Sequence, residues 1–181
     1  MEPNMKSLIF MDVEAASFSG FPIEVGWAEV RLPGLAIGLE THLIRHDPWL
    51  IGCQDEWSMD AQRVHGISQE MLIRDGEPVD AVVARLAEAF GAGTVYSDAP
   101  QNDFDWILRL HDAAGVWPGF RIRGVNEAFV GNDADRFAAE WKAFKAVPAP
   151  HRAALDAYRW ALLWTATARP HDPEWRRRWG L

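Results

Sequence analysis

Cysteine is nearly absent. Cys53 stands alone among 181 residues, which excludes an intramolecular disulfide and any thiolate metal cluster and fits a reducing cytosol, where it serves as a small filler. Long hydrophobic runs are missing too. The start, "MEPNMKSLIF", places an acid and a proline before a short apolar stretch, unlike a signal peptide, and "WALLWTATA" near the end is too short to span a bilayer. The expectation is a soluble, cytoplasmic protein without a membrane partner. Positive charge is scarce: 18 Lys and Arg face 26 Asp and Glu, a net charge of −8, so the global field repels polyanions. This argues against a tight non-specific nucleic-acid binder. It leaves room for an enzyme that grips a few phosphates through bound cations, because affinity scales with the phosphates contacted. There is no internal repeat, low-complexity tract or linker, and 49% hydrophobic content supports one globular domain over 1–181. Its core covers about 7–167, followed by a basic aromatic tail at 170–181.

What is present is an ordered alternation of patterns. "SLIFMDVEAAS" reads as a strand buried on both faces that emerges at its end. "FPIEVGWAEV" and "GLAIGLETHLIR" alternate as the next two strands of a meander, with "RLPG" as the turn between them. "SMDAQRVHGISQEML" predicts a short helix broken at Gly66, with Ser68 starting another turn, and Val79, Val82, Val83, Leu86 and Phe90 recur at helical spacing. "TVYSD" predicts a strand, "DFDWILRLHDAAG" a helix stopped by Gly115, and "FRIRGV" a last strand. "DADRFAAEWKAFKAV" and "HRAALDAYRWALLWTATAR" are two closing helices. Three strands followed by alternating helices and strands imply an α/β domain with a mixed sheet.

Asp12 and Glu14 sit two apart at the end of the first strand, so both side chains leave one face, about 6 to 7 Å apart. A lone D-x-E is most often turn chemistry. Here both acids interrupt an otherwise buried strand, where unpaired carboxylates are costly, and hard cations such as Mg²⁺ or Mn²⁺ suit such oxygen ligands. A third carboxylate is expected from "SDAPQNDFDWILRL". From Asp103 the offsets plus three, four and seven reach Trp106, Ile107 and Leu110; from Asp105 they reach Leu108, Arg109 and Asp112. Asp103 therefore fits an inward face. Asp105 is the alternative, and Asp98, a third candidate at a strand end, also reads as a turn former.

"PAPHRAALDA" separates His151 and Asp156 by five residues, which would place them on different faces of a regular helix. Pro148 and Pro150 relieve this by leaving His151 at the ragged helix start, free to lean away from the axis, with Asp156 one turn inside. A neutral imidazole in that place is what a general base requires.

Taken together, these segments resemble the DEDDh, DnaQ-like group of 3′-to-5′ exonucleases, over about Ser7 to Trp160. "FMDVEAAS" resembles the first motif, "SDAPQNDFDWILRL" the second and "HRAALDA" the third, while "EVGWAEV" and "VHGIS" with "QEML" resemble segments common between the first and second. The sequence departs from the family where an aromatic residue usually precedes the second-motif Asp and an Asn often stands four before it; Asn102 and Ala99 occupy those places. The resemblance implies a ribonuclease H-like fold, a mixed five-stranded sheet with helices on both faces. It implies Asp12, Glu14, Asp103 and Asp156 as ligands of two divalent cations, Mg²⁺ or Mn²⁺, with His151 as general base, the five forming the catalytic set. The activity implied is hydrolysis of terminal phosphodiesters at the 3′ ends of single-stranded RNA or DNA, releasing nucleoside 5′-monophosphates; a homodimer is compatible with it.

For substrate contact, Phe18 follows the first motif as a wedge candidate and His65 lies in the "VHGIS" segment, where a structural loop role competes. Ten tryptophans is a high number, but Trp106, Trp160 and Trp164 lie at core spacing. His42 and His46 are too far apart along a strand to suggest zinc, and Asp133 and Asp135 read as helix-start residues. The tail "EWRRRWGL" suits a nucleic-acid or partner contact, against the simpler expectation of a frayed end. Two other readings compete: a non-catalytic nucleic-acid-binding or partner-binding module on the same fold, and a ribonuclease H-like enzyme cutting internally.

Overall fold

A computed structural model describes residues 6–45 and 57–181; Cys53 and His46 lie outside the described residues. Strand β1 (Ser7–Ala15) is the centre of a five-stranded sheet with β2 (Pro22–Arg31), β3 (Ala36–Leu43), β4 (Thr94–Ser97) and β5 (Arg121–Gly124), in the order β3-β2-β1-β4-β5. The first three strands form the expected antiparallel meander, and β4 and β5 join in parallel, which makes the sheet mixed.

The two-residue period of β1 divides its side chains between two cores. Ile9, Met11 and Val13 face helices α3 (Val79–Phe90) and α4 (Pro100–Ala113), meeting Val82, Leu86, Ile107 and Leu110. Leu8 and Phe10 point the other way, into a cluster with Ala157, Ala161 and Trp164 of α7 (Ala153–Thr167). Asp12 and Glu14 continue that second face. Helices on both faces of a mixed sheet are the architecture expected from the sequence.

The region 58–75 folds as two short helices, α1 (Met59–His65) and α2 (Gln69–Asp75), capped by the Ser58 and Ser68 side chains and separated by Gly66 at φ 72°. Helix α6 (Ala134–Ala146) is capped by Asp133, as its sequence suggested. Three details differ from expectation. Helix α4 starts at Pro100, three residues early, because proline fits the first helical position; a short helical turn α5 (Val125–Ala128) follows β5. The tail is not frayed. Asp172 caps α8 (Pro173–Trp179), and Trp175 and Trp179 pack against Trp164, so the aromatic residues dock the helix while Arg177 and Arg178 face solvent. No helix among the described residues is long and apolar enough to cross a membrane.

Candidate active site

The site forms where β1 and β4 end beside the start of α7. Glu14, His151 and Asp156 each place a ligand atom within 4.8 Å of the other two; Asp12, Asp98 and Asp103 form a second such trio. Five carboxylates and one imidazole thus converge, all hard oxygen or nitrogen donors of the type that hold Mg²⁺ or Mn²⁺.

Local sequence explains each placement. Asp12 pairs across the sheet with Gly26, and a Cβ on Gly26 would overlap the backbone of Ala154. The missing side chain lets α7 start directly over the carboxylates. Helix α7 begins at Ala153, so His151 is outside it, at φ 51°, with an exposed ring. Asp156 turns back and accepts from the Arg152 backbone N–H at 3.1 Å, satisfying a donor at the helix start. The five-residue spacing therefore works because only one of the two residues is helical.

Asp103 is 1% exposed, and the Ser97 hydroxyl donates to its carboxylate while accepting from the Ala99 N–H at 3.0 Å. The end of β4 thus fixes the orientation of this acid. Asp105 faces solvent on another side of α4 and accepts from Gln101 at 3.2 Å, away from both trios. Asp98, which the sequence suggested as a third candidate and as a turn former, stands in the second trio with Asp12 and Asp103.

The site is electrostatically strained. Burial pushes Asp12 well above the usual carboxylate range, reinforced by Asp103, Glu14, Asp98 and Asp156. Glu14 is raised to about 7, by burial first and then by Asp156 and Glu24, against the pull of Arg152. Asp103 rises to about 8 through burial, opposed by the Ser97 hydrogen bond, with Asp98 and Glu14 adding to the rise. Asp156 is also raised by burial, resisted by the Arg152 amide and then by His151 and Arg159. Ionised together, the buried acids would repel each other; bound protons relieve this in the metal-free site, and a bound cation would do so in their place.

Around the rim, Phe18 is 80% exposed and meets Trp106 edge-on, with ring centroids 6.4 Å apart. His65 is buried, and its Nδ1 accepts from the Ile67 N–H at 3.0 Å, so Nε2 carries the proton in the neutral ring. That Nε2 has no partner among the described residues. Burial lowers the His65 pKa, and Glu24, Arg152 and His151 are its ionisable neighbours, which places it behind the His151 side of the site. Away from the site, His42 is engaged by Glu77 at 2.6 Å and Glu40 at 3.2 Å.

Sequence reading ranks Asp98 last of three candidates for the third carboxylate and misses Glu24. Asp98 has a signal in its position directly after the last residue of β4, where the parallel register with β1 continues to Asp12. Glu24 has one in being an acid within the apolar alternation of β2, beside Gly26.

A mixed sheet in this order, flanked by helices on both faces, is a ribonuclease H-like α/β fold. The particular structures it resembles are nucleases. Exonuclease I from Methylocaldum szegediense matches with TM-score 0.63 and 16% identity, over 93% of this chain and 41% of that one. E. coli Exonuclease I in complex with a dA16 oligonucleotide matches with TM-score 0.64 and 15% identity, over 96% and 42%. Cell-death related nuclease 4 gives TM-score 0.61 and 13% identity, over 87% and 62%. The chain spans less than half the length of these exonuclease I chains. At such identities the likeness is one of fold. No protein-family model matches the chain, and no curated protein does.

Proposed function

We propose that this chain is a metal-dependent 3′-to-5′ exonuclease that releases nucleoside 5′-monophosphates from single-stranded nucleic acid. The observation that carries the reading is the pair of ligand trios meeting at the ends of β1 and β4, with the imidazole of His151 at the exposed edge. Its support from outside the chain is the fold shared with exonucleases, one of them solved on a single-stranded oligonucleotide.

Asp12, Glu14, Asp103 and Asp156 would hold two divalent cations, with Asp98 adding negative charge on the Asp103 side. Those cations, when bound, neutralise the developing charge on the phosphate and acidify the attacking water. His151 accepts the proton from that water at Nε2 or Nδ1 and passes it to solvent, for which its exposure is suited. Phe18 and Trp106 form an aromatic corner on which a 3′-terminal base stacks, while the buried His65 takes a structural role in its loop through the Ile67 N–H.

The test uses 5′-labelled single-stranded DNA and RNA with Mg²⁺ or Mn²⁺. Products shortened one nucleotide at a time from the 3′ end, with mononucleotides accumulating, are expected; His151→Ala should lower kcat by about a hundredfold or more. Internal fragments would replace this reading with that of an endonuclease, and binding without cleavage would leave a non-catalytic module.

A further inference from the structure

Glu24 is an acid in the middle of the sheet, 1% exposed, and it stands outside both ligand trios. Its carboxylate is fully engaged. Arg152 donates to it through Nε at 3.1 Å to each oxygen and through Nη2 at 2.6 Å, the Ala153 N–H donates at 2.9 Å, and the Thr41 hydroxyl at 3.2 Å. All but the Thr41 bond come from the two residues that follow His151. His151 itself holds a left-handed backbone, which a non-glycine residue keeps only where its surroundings impose it. On the other flank, Arg159 Nη2 donates to the Phe144 and Val147 carbonyls at 3.0 and 2.8 Å and so ties down the segment leading to His151. The strained residue is gripped before and after, and only its ring is free.

We infer that Glu24 is a positioning residue for the His151 imidazole, acting through Arg152 and the Ala153 amide. This rests on the nuclease reading, because it concerns where the general base stands. In this role Glu24 acts on the segment beside His151 and belongs to neither ligand trio. A two-oxygen acceptor is needed there, since it takes the guanidinium fork and the first orphan amide of α7 at once and thereby fixes both distance and direction. An apolar residue at this place would leave the Ala153 N–H and the Arg152 charge without a partner.

The closing experiment is a double-mutant cycle on the full chain: wild type, Glu24→Gln, His151→Ala and the double variant, with 5′-labelled single-stranded DNA and Mn²⁺. Glu24→Gln should lower kcat by about tenfold with KM within about twofold, as expected when only transition-state placement is lost. In the His151→Ala background it should add no further loss, because the placement of an absent ring has no consequence. Losses that multiply, or an unchanged kcat in Glu24→Gln, overturn the inference and leave the nuclease reading intact. Should Glu24→Gln fail to fold, Arg152→Lys keeps the charge without the fork and runs the same cycle with the same two outcomes. A wild-type chain that cleaves neither DNA nor RNA removes the nuclease reading and the role of Glu24 with it.

Discussion

The even-numbered face of β1 meets α7 along its whole length, yet its two halves are opposite in character. Leu8 and Phe10 pack on Ala157, Ala161 and Trp164, with Phe129 and the tail tryptophan Trp175 closing the cluster. Two residues further on, the same face presents Asp12 and Glu14 to Asp156 and His151. One strand and one helix supply both surroundings, and they differ only in which end is considered. The apolar half holds the elements together without directional demands; the acidic half is stable only as far as the apolar half restrains it. Backbone proximity at Gly26 joins them, since it lets a single helix serve both.

The comparison breaks most sharply at Trp164. It is fully buried and its indole N–H donates to the Ala128 carbonyl at 2.9 Å, so Trp164→Ala should cost about 3 to 5 kcal/mol, read by denaturant unfolding. In the acidic half the sign reverses. Asp103→Asn should raise the melting temperature of the metal-free protein at pH 8 while reducing cleavage to below about 1% of wild type, and Asp12→Asn should match that loss.

Proton linkage sharpens the contrast. Glu14 and Asp103 keep protons in the folded state up to about 7 and about 8, whereas the unfolded chain has lost them. The folded state therefore binds more protons, and its stability falls as pH rises through this range. His65 and His111, both lowered by burial, act in the opposite direction below their ordinary value of 6.5. Between pH 6.5 and pH 8 the metal-free protein should thus melt at progressively lower temperature, and Mn²⁺ should raise the melting point more at pH 8 than at pH 6.5. A flat metal-free profile would contradict the repulsion described for the acidic half.

The smallest effects separate two exposed acids of one segment. Asp98→Asn should weaken Mn²⁺ binding by about tenfold, as for removal of a charged neighbour, while Asp105→Asn should change cleavage by less than about twofold. Equal effects of the two substitutions would mean that the Asp98 position has no special relation to the site.

How much of this was legible beforehand differs residue by residue. The strand order of the meander, the inward face of α3 and the helix starts at Ser68 and Asp133 follow from local periodicity and side-chain chemistry, which act within a few residues. The tail was misjudged because the ordering of α8 comes from Trp175 and Trp179 meeting Trp164, a contact between segments that no local pattern encodes.

By itself the sequence determined the α/β alternation, the strand-end pair Asp12 and Glu14, and the helical offsets that set Asp103 apart from Asp105, since each depends on a backbone period of two or 3.6 residues. Tertiary structure alone decided that Asp98 joins Asp12 across parallel strands and that Glu24 grips the residues after His151. Those relations arise from which chain segments lie side by side, and sheet order and helix placement fix that only once the whole core has closed.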